Sequence, residues 1–179
     1  MRGFTKRGQA IEARFRGGEM AILLTLTGEL IELVGPLGTS STTPEGDIDA
    51  ILAENALPND DPALDRLFPN AYPDDDSASS EFRRYTQADQ AAAKVDAAQI
   101  VAADVADADD GWVTVPAAHI DAWLITLTNL RLVLAARLDI KDELDAQRLS
   151  GISSRHPQAP VVAVFDWCGW MLESVLDCL

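Results

Sequence analysis

Cations set among apolar residues hold most of the chemical content of this sequence. In AAHIDAWLITLTNLRLVLAARL the positions Ile120, Leu124, Leu127, Arg131, Leu134 and Leu138 step by four and three, which places Arg131 in the apolar seam of a helix. A guanidinium cannot be left unpaired in a core, and its planar array of donors suits a carboxylate held by two bonds. Asp166, or an acid near it, is the expected partner, and the pair would fix how the last two long helices dock. Lys94 raises a similar question, because it falls on the pitch of Ala91, Val95, Ala98, Ala102 and Val105. Either its stem covers apolar surface while the ammonium reaches water, or it pairs with a buried acid. Trp170 lies among Asp166, Glu173 and Asp177 on the polar side of the last helix, about 40° from Asp166 at ~100° per residue. Either neighbouring structure such as an N-terminal hairpin covers the ring, or it anchors a protein partner.

Conventional catalytic motifs are missing. The chain has no Gly-rich phosphate loop, HExxH, CxxC, GxSxG or EF-hand loop. His119 and His156 lack a second ligand at helical spacing, which argues against a metal site. The Asp74-Asp75-Asp76 run lacks the alternating spacing and glycine turn of a calcium loop and reads as a solvated helix start. Cys168 sits on an apolar seam where burial would dull its nucleophilicity. Cys178 is ten residues further along what reads as one helix, a rise of ~15 Å that no disulfide spans. The expectation is a protein with no catalytic residue, no cofactor and no metal.

The elements that must position these residues read as follows. Gly3 to Phe15 is a β-hairpin, with Ile11, Ala13 and Phe15 alternating with charged residues and Arg7-Gly8 at the turn. Gly17-Gly18 breaks the strand, EMAILLTLTGELIELV forms a core helix, and Gly35-Pro36 should stop it. Residues 35–46 are small and polar with two prolines, which predicts a mobile loop. Short helices are expected over DIDAILAENA and DPALDRLF. A helical stretch EFRRYTQ leads into the small-residue stripe containing Lys94, which lets a partner helix approach closely. GWVTV, near 112–115, is a third strand added to the hairpin, and Pro116 suits the first turn of the next helix. In the closing helix Val161, Phe165, Cys168, Leu172, Val175 and Leu179 share a seam. The expected fold is mainly α within an α+β class: one domain over 1–179, a helical bundle with a small N-terminal antiparallel hairpin completed by a third strand.

Charge narrows the partners. Fourteen Lys+Arg against 29 Asp+Glu give a net of -15, which repels phosphate backbones and anionic lipid. Seventeen acidic and four basic residues lie between Glu45 and Asp110. A weak basic patch of Arg2, Lys6, Arg7, Arg14 and Arg16 is the one counter-indication to excluding nucleic acid. No apolar run approaches the ~20 residues of a membrane span, and no signal-peptide cleavage site is evident, so a cytoplasmic location is expected.

The strings RLFPNAYPDDDSASSEFRRYTQADQAAAKVDAA, DAWLITLTNLRLVLAARLDI and FDWCGWMLESVL together resemble an actinobacterial family, the domain of unknown function number two thousand and seventeen. The resemblance spans most of the chain. It departs from the family pattern at Gln90, where an apolar residue is expected, and at Met171-Leu172 after DWCGW. The family motifs contain the positions marked by periodicity: Arg83, Arg84 and Tyr85 open the Lys94 helix, Arg131 lies in LRLVL, and Asp166 and Trp170 lie in DWCGW. The resemblance implies no established activity; family genes often stand beside that of the Clp protease adaptor ClpS, and some members are labelled transcriptional regulators.

Three functions follow as expectations. The first is a non-catalytic protein-interaction or regulatory module, with a proteolysis component as one possible partner and a homodimer as another. The second is a transcriptional regulator, for which no basic recognition helix is evident. The third is a binder of a small anionic ligand, or an enzyme without a known motif, using Arg83, Arg84, Lys94 and Arg131.

Overall fold

The structure is a computed structural model that describes residues 2–38 and 61–179. Strands β1 (Arg2–Arg7) and β2 (Ala10–Arg14) form the expected hairpin. The turn falls at Gly8-Gln9, where Gly8 has φ +63°, a conformation open to glycine without steric cost. Strand β3 (Trp112–Pro116) pairs antiparallel with β2, Ile11 opposite Val115 and Ala13 opposite Val113, giving the order β1-β2-β3. Period-two alternation puts Ile11, Ala13, Val113 and Val115 on one buried face, joined by Phe4 and Phe15.

Six helices are described. They are α1 (Glu19–Gly38), α2 (Pro62–Leu67), α3 (Asp76–Ala106), α4 (Ile120–Arg137), α5 (Glu143–Ser150) and α6 (Ala159–Leu176). Carboxylate caps start three of them. Asp61 accepts from the Ala63 N–H at 2.8 Å, Asp75 from Ala78 at 2.9 Å and Asp142 from Asp145 at 2.9 Å. Pro116 ends β3 rather than opening α4, and a 3-10 turn at Ala117–His119 makes the link.

The small-residue stripe brings α1 against α3. Ala91 and Ala98 are fully buried, and a Cβ on Gly38 would stand 3.2 Å from the Ala92 backbone nitrogen. The predicted stop at Gly35-Pro36 is two residues early, since α1 runs through Pro36 to Gly38. Proline supplies no N–H but its φ is helical, so a last turn accommodates it. Of the loop predicted over 35–46, residues 35–38 are therefore helical, and 39–46 lie outside the described residues. So does the helix predicted over DIDAILAENA.

Two seams are shifted from their predicted lines. On α4 the buried line is Trp123, Leu127, Leu130 and Leu134, and Arg131 stands on its flank, half-buried against α6. On α6 the core side comprises Cys168, Met171 and Val175, while Val161 and Leu179, at the ends of the predicted seam, are exposed. The sheet causes both displacements. Phe4 meets Trp123 edge-on at 5.2 Å and Phe15 meets Trp167 at 6.3 Å, so the tryptophans turn the helices toward it. Contrary to expectation, α1 and α6 are each long and apolar enough to cross a bilayer by length and composition. Each also buries a face here, through Leu23, Leu30 and Val34 on α1 and Cys168, Met171 and Val175 on α6.

Candidate functional site

The marked cations do not converge on one pocket. Arg83 and Lys94 stand on the same helix eleven residues apart, a rise of ~16 Å, and Arg131 is on another element. Lys94 is half-buried with Nζ 5.4 Å from the centre of the Phe68 ring, and among the described residues it has no carboxylate. Burial pushes its pKa down. An aromatic face lies beneath the ammonium, a contact that neither reading named.

Arg131 makes no ion pair with Asp166, and this corrects the predicted docking contact. Asp166 is exposed on α6, while the guanidinium lies 5.0 Å over the Phe165 ring and against Gly169. Its Nε is buried without a partner among the described residues. The predicted pairing follows from treating Arg131 as a seam residue; on the flank, part of the guanidinium reaches water and the aromatic face covers the rest.

Trp170 is only partly covered by the N-terminal hairpin. Its ring packs on Gly3 of β1, where a Cβ would approach to 3.3 Å, yet 42 % of the residue remains exposed. Ser174, one turn on, accepts from the Phe4 N–H at 3.3 Å and so ties the edge of β1 to α6.

The N-terminal half of α3 and the turn before it carry a set of exposed aromatic and basic groups. Phe82 and Tyr72 are exposed and meet edge-on at 6.2 Å; Tyr85, 66 % exposed, stands further round the helix. Arg84 donates to the Tyr85 hydroxyl at 2.7 Å with its guanidinium 4.8 Å over the ring. Arg83 donates to the Asn70 side-chain oxygen, which holds the turn after α2 against α3. Among the described residues neither arginine has an ion pair, although Arg7, Arg14, Arg137 and Arg148 each have one. Arginine, tyrosine and phenylalanine are the types enriched where proteins bind proteins.

Sequence reasoning missed one polar cluster. Asp104, nearly buried on α3, accepts from His119 Nδ1 at 2.9 Å and from Trp123 Nε1 at 2.8 Å. The three residues come from α3, the 3-10 turn and α4, so no local spacing could reveal them. The His–Asp arrangement resembles a catalytic dyad, but among the described residues no hydroxyl or thiol hydrogen-bonds to His119. It closes one wall of a cleft of about 780 Å³ that Asp107, Asp109, Asp110 and Trp112 also line. Among the described residues no group of three or more His, Cys, Asp or Glu side chains is arranged to hold a metal.

The thiols are not poised for chemistry. Cys168 is fully buried, and desolvation pushes its pKa up to about 12 against a smaller opposing effect from Arg131. Cys178 is half-buried, and its pKa is raised by burial and by Asp177.

The family described as Domain of unknown function (DUF2017) matches residues 1–179. The chain belongs to that family. Among relatives of this DUF2017 chain, the putative oxidative stress regulator AosR of Mycobacterium leprae is 31% identical over 163 residues, covering 83% of this chain and 73% of that protein. The oxidative stress regulator AosR of Mycobacterium tuberculosis is 27% identical over 176 residues, covering 91% of this chain and 79% of that protein, and the Mycobacterium bovis protein of the same name gives the same figures. No solved structure matches. The link to Clp-dependent proteolysis that the resemblance implied has no counterpart in the names of these DUF2017 relatives, which speak of regulation and oxidative stress.

Proposed function

We propose that this protein is a non-catalytic regulator in the response to oxidative stress, and that it acts by binding another protein. The observation that carries this reading is the exposed surface around the N-terminal half of α3, where Tyr72, Phe82 and Tyr85 stand beside Arg83 and Arg84. These arginines lack ion pairs among the described residues of a chain with 29 acids. The names of the relatives supply the setting. Direct action on DNA is the poorer alternative, because a net charge of -15 opposes approach to phosphate. Pooling of the cations around one small anion is disfavoured by their separation along and between helices. Oxidant sensing by a Cys168–Cys178 bridge is disfavoured too, since ten residues of nearly continuous helix separate the two and Cys168 is sealed in the core.

The test is complementation. A host strain lacking the gene, supplied with wild type, Phe82→Ser or Tyr85→Ser, is challenged with peroxide and its survival counted. Both side chains are exposed, so the variants should fold, and circular dichroism checks this. Wild type should restore survival and both variants should fall short of it. Full restoration by both variants would remove this surface from the function.

A further inference from the structure

We propose that a notch between α3 and the turn after α2 is the seat for an aspartate or glutamate side chain carried on an acidic segment of a partner protein. This rests on the reading of the surrounding surface as a protein-binding one. Phe68, Asn70, Phe82, Arg83, Thr86 and Gln87 form most of the notch, and among the described residues no carboxylate lines it. Its polar groups have donors to spare. Among the described residues Gln87 Nε2 is buried with no acceptor and Arg83 has no carboxylate. The Asn70 side-chain oxygen is already taken by Arg83, and the Thr86 hydroxyl donates to the Phe82 carbonyl at 3.0 Å. A carboxylate answers such a set, because it accepts and does not donate.

Size selects among anions. The notch has a volume of about 20 Å³, room for a single water-sized group. One carboxylate oxygen can enter toward Gln87 while the second meets Arg83 at the mouth. A tetrahedral phosphate presents more oxygens than the space receives, and a nucleobase is far larger.

Along α3 the placement of charge permits this despite the overall acidity. At ~100° per residue, Glu81 and Asp89 lie about 160° and 120° around α3 from Arg83, on the far side of the helix. Asp76 is two turns away, ~10 Å along the axis, beyond the ~8 Å over which exposed charges act at physiological ionic strength. Phe82, exposed in the lining and braced edge-on by Tyr72, would cover the methylenes of the incoming residue and exclude water from the pair.

The test uses the full chain and fluorescence anisotropy with three probes: a short fluorescein-labelled peptide of glutamate and leucine, its glutamine counterpart, and oligothymidine. The glutamate peptide should bind about tenfold more tightly than the glutamine peptide, and Gln87→Leu should weaken it about tenfold, the loss of ~1.4 kcal/mol. Arg83→Met should do the same, and Arg155→Ala, at an exposed site far along the chain, should change nothing. Gln87→Leu keeps the test secure if loss of the Asn70 bond unfolds the arginine variant. Equal binding of the two peptides, wild-type binding by Gln87→Leu, or displacement of the peptide by oligothymidine would overturn the proposal. The two readings fail separately. Defective survival of Phe82→Ser without glutamate selectivity retains the surface and discards the acidic partner, whereas intact survival removes the function first.

Discussion

The guanidinium of Arg131 lies directly against the α-carbon of Gly169: a Cβ built there would stand 3.2 Å from Nε and 3.3 Å from Cζ. The contact explains a glycine inside α6, a position where alanine would favour the helix by ~1 kcal/mol. Gly169→Ala should therefore be close to neutral in the wild-type background, the gain in helix propensity being offset by displacement of the guanidinium from Phe165. In an Arg131→Ala background the same substitution should stabilise by ~1 kcal/mol. A double-mutant cycle in urea measures the coupling. An identical effect in both backgrounds would mean that the arginine places no constraint on residue 169.

Local pattern was enough for much of this architecture. Alternation of Ile11, Ala13 and Phe15 around a glycine turn identified the hairpin, and GWVTV the third strand, because period-two burial is written directly in residue types. The Ala91–Ala98 stripe identified the face that receives α1. The misses have a common origin in contacts between distant segments. The seam of α4 rotated because Trp123 is drawn toward Phe4, more than a hundred residues earlier, and nothing within the α4 sequence encodes that. Arg131 then met an aromatic face instead of the predicted Asp166. Of the candidate site, FRRYT lies in the stretch of α3 that carries the exposed aromatic and basic groups. The role of Asn70 and the orphaned Gln87 amide required the turn after α2 to be in place.

Asp104 is the polar link between α3 and the start of α4. Trp123 is fully buried, so Asp104→Ala would leave its indole N–H without an acceptor and should cost about 2–3 kcal/mol. Asp104→Asn preserves volume and one acceptor oxygen and should cost about 1 kcal/mol. Urea unfolding followed by circular dichroism would decide. A cost for the alanine variant within ~0.5 kcal/mol of zero would mean that water replaces the carboxylate.

The two cysteines should be chemically distinct. With its pKa pushed up to about 12, the Cys168 thiol stays protonated at pH 8, and its burial also bars reagents. Cys178, half-buried past the end of α6, also has its pKa raised by burial and by Asp177 but is within reach of solvent. A thiol-reactive chromogenic disulfide at pH 8 should label one cysteine in the native protein, and peptide mapping should place the label on Cys178. Both should react in denaturant. Rapid labelling of Cys168 in the folded protein would show that α6 opens readily.

The approach of α1 to α3 depends on the absence of side-chain bulk, and its energetics can be tested at one residue. Ala91 is fully buried, and the neighbouring Ala92 backbone nitrogen would be only 3.2 Å from a Cβ on Gly38. Backbone atoms cannot move aside as a flexible side chain does, so a larger residue at 91 must push the helices apart. Ala91→Leu should destabilise by about 2–3 kcal/mol, at the upper end for overpacking a core. Ala93→Leu, two residues on and exposed, adds the same atoms to the same helix with no facing backbone and should stay within ~0.5 kcal/mol of wild type. Equal midpoints for the two variants in urea would show that the seam is loose enough to admit leucine. A large difference would identify the alanine stripe as the feature that sets the distance between α1 and α3.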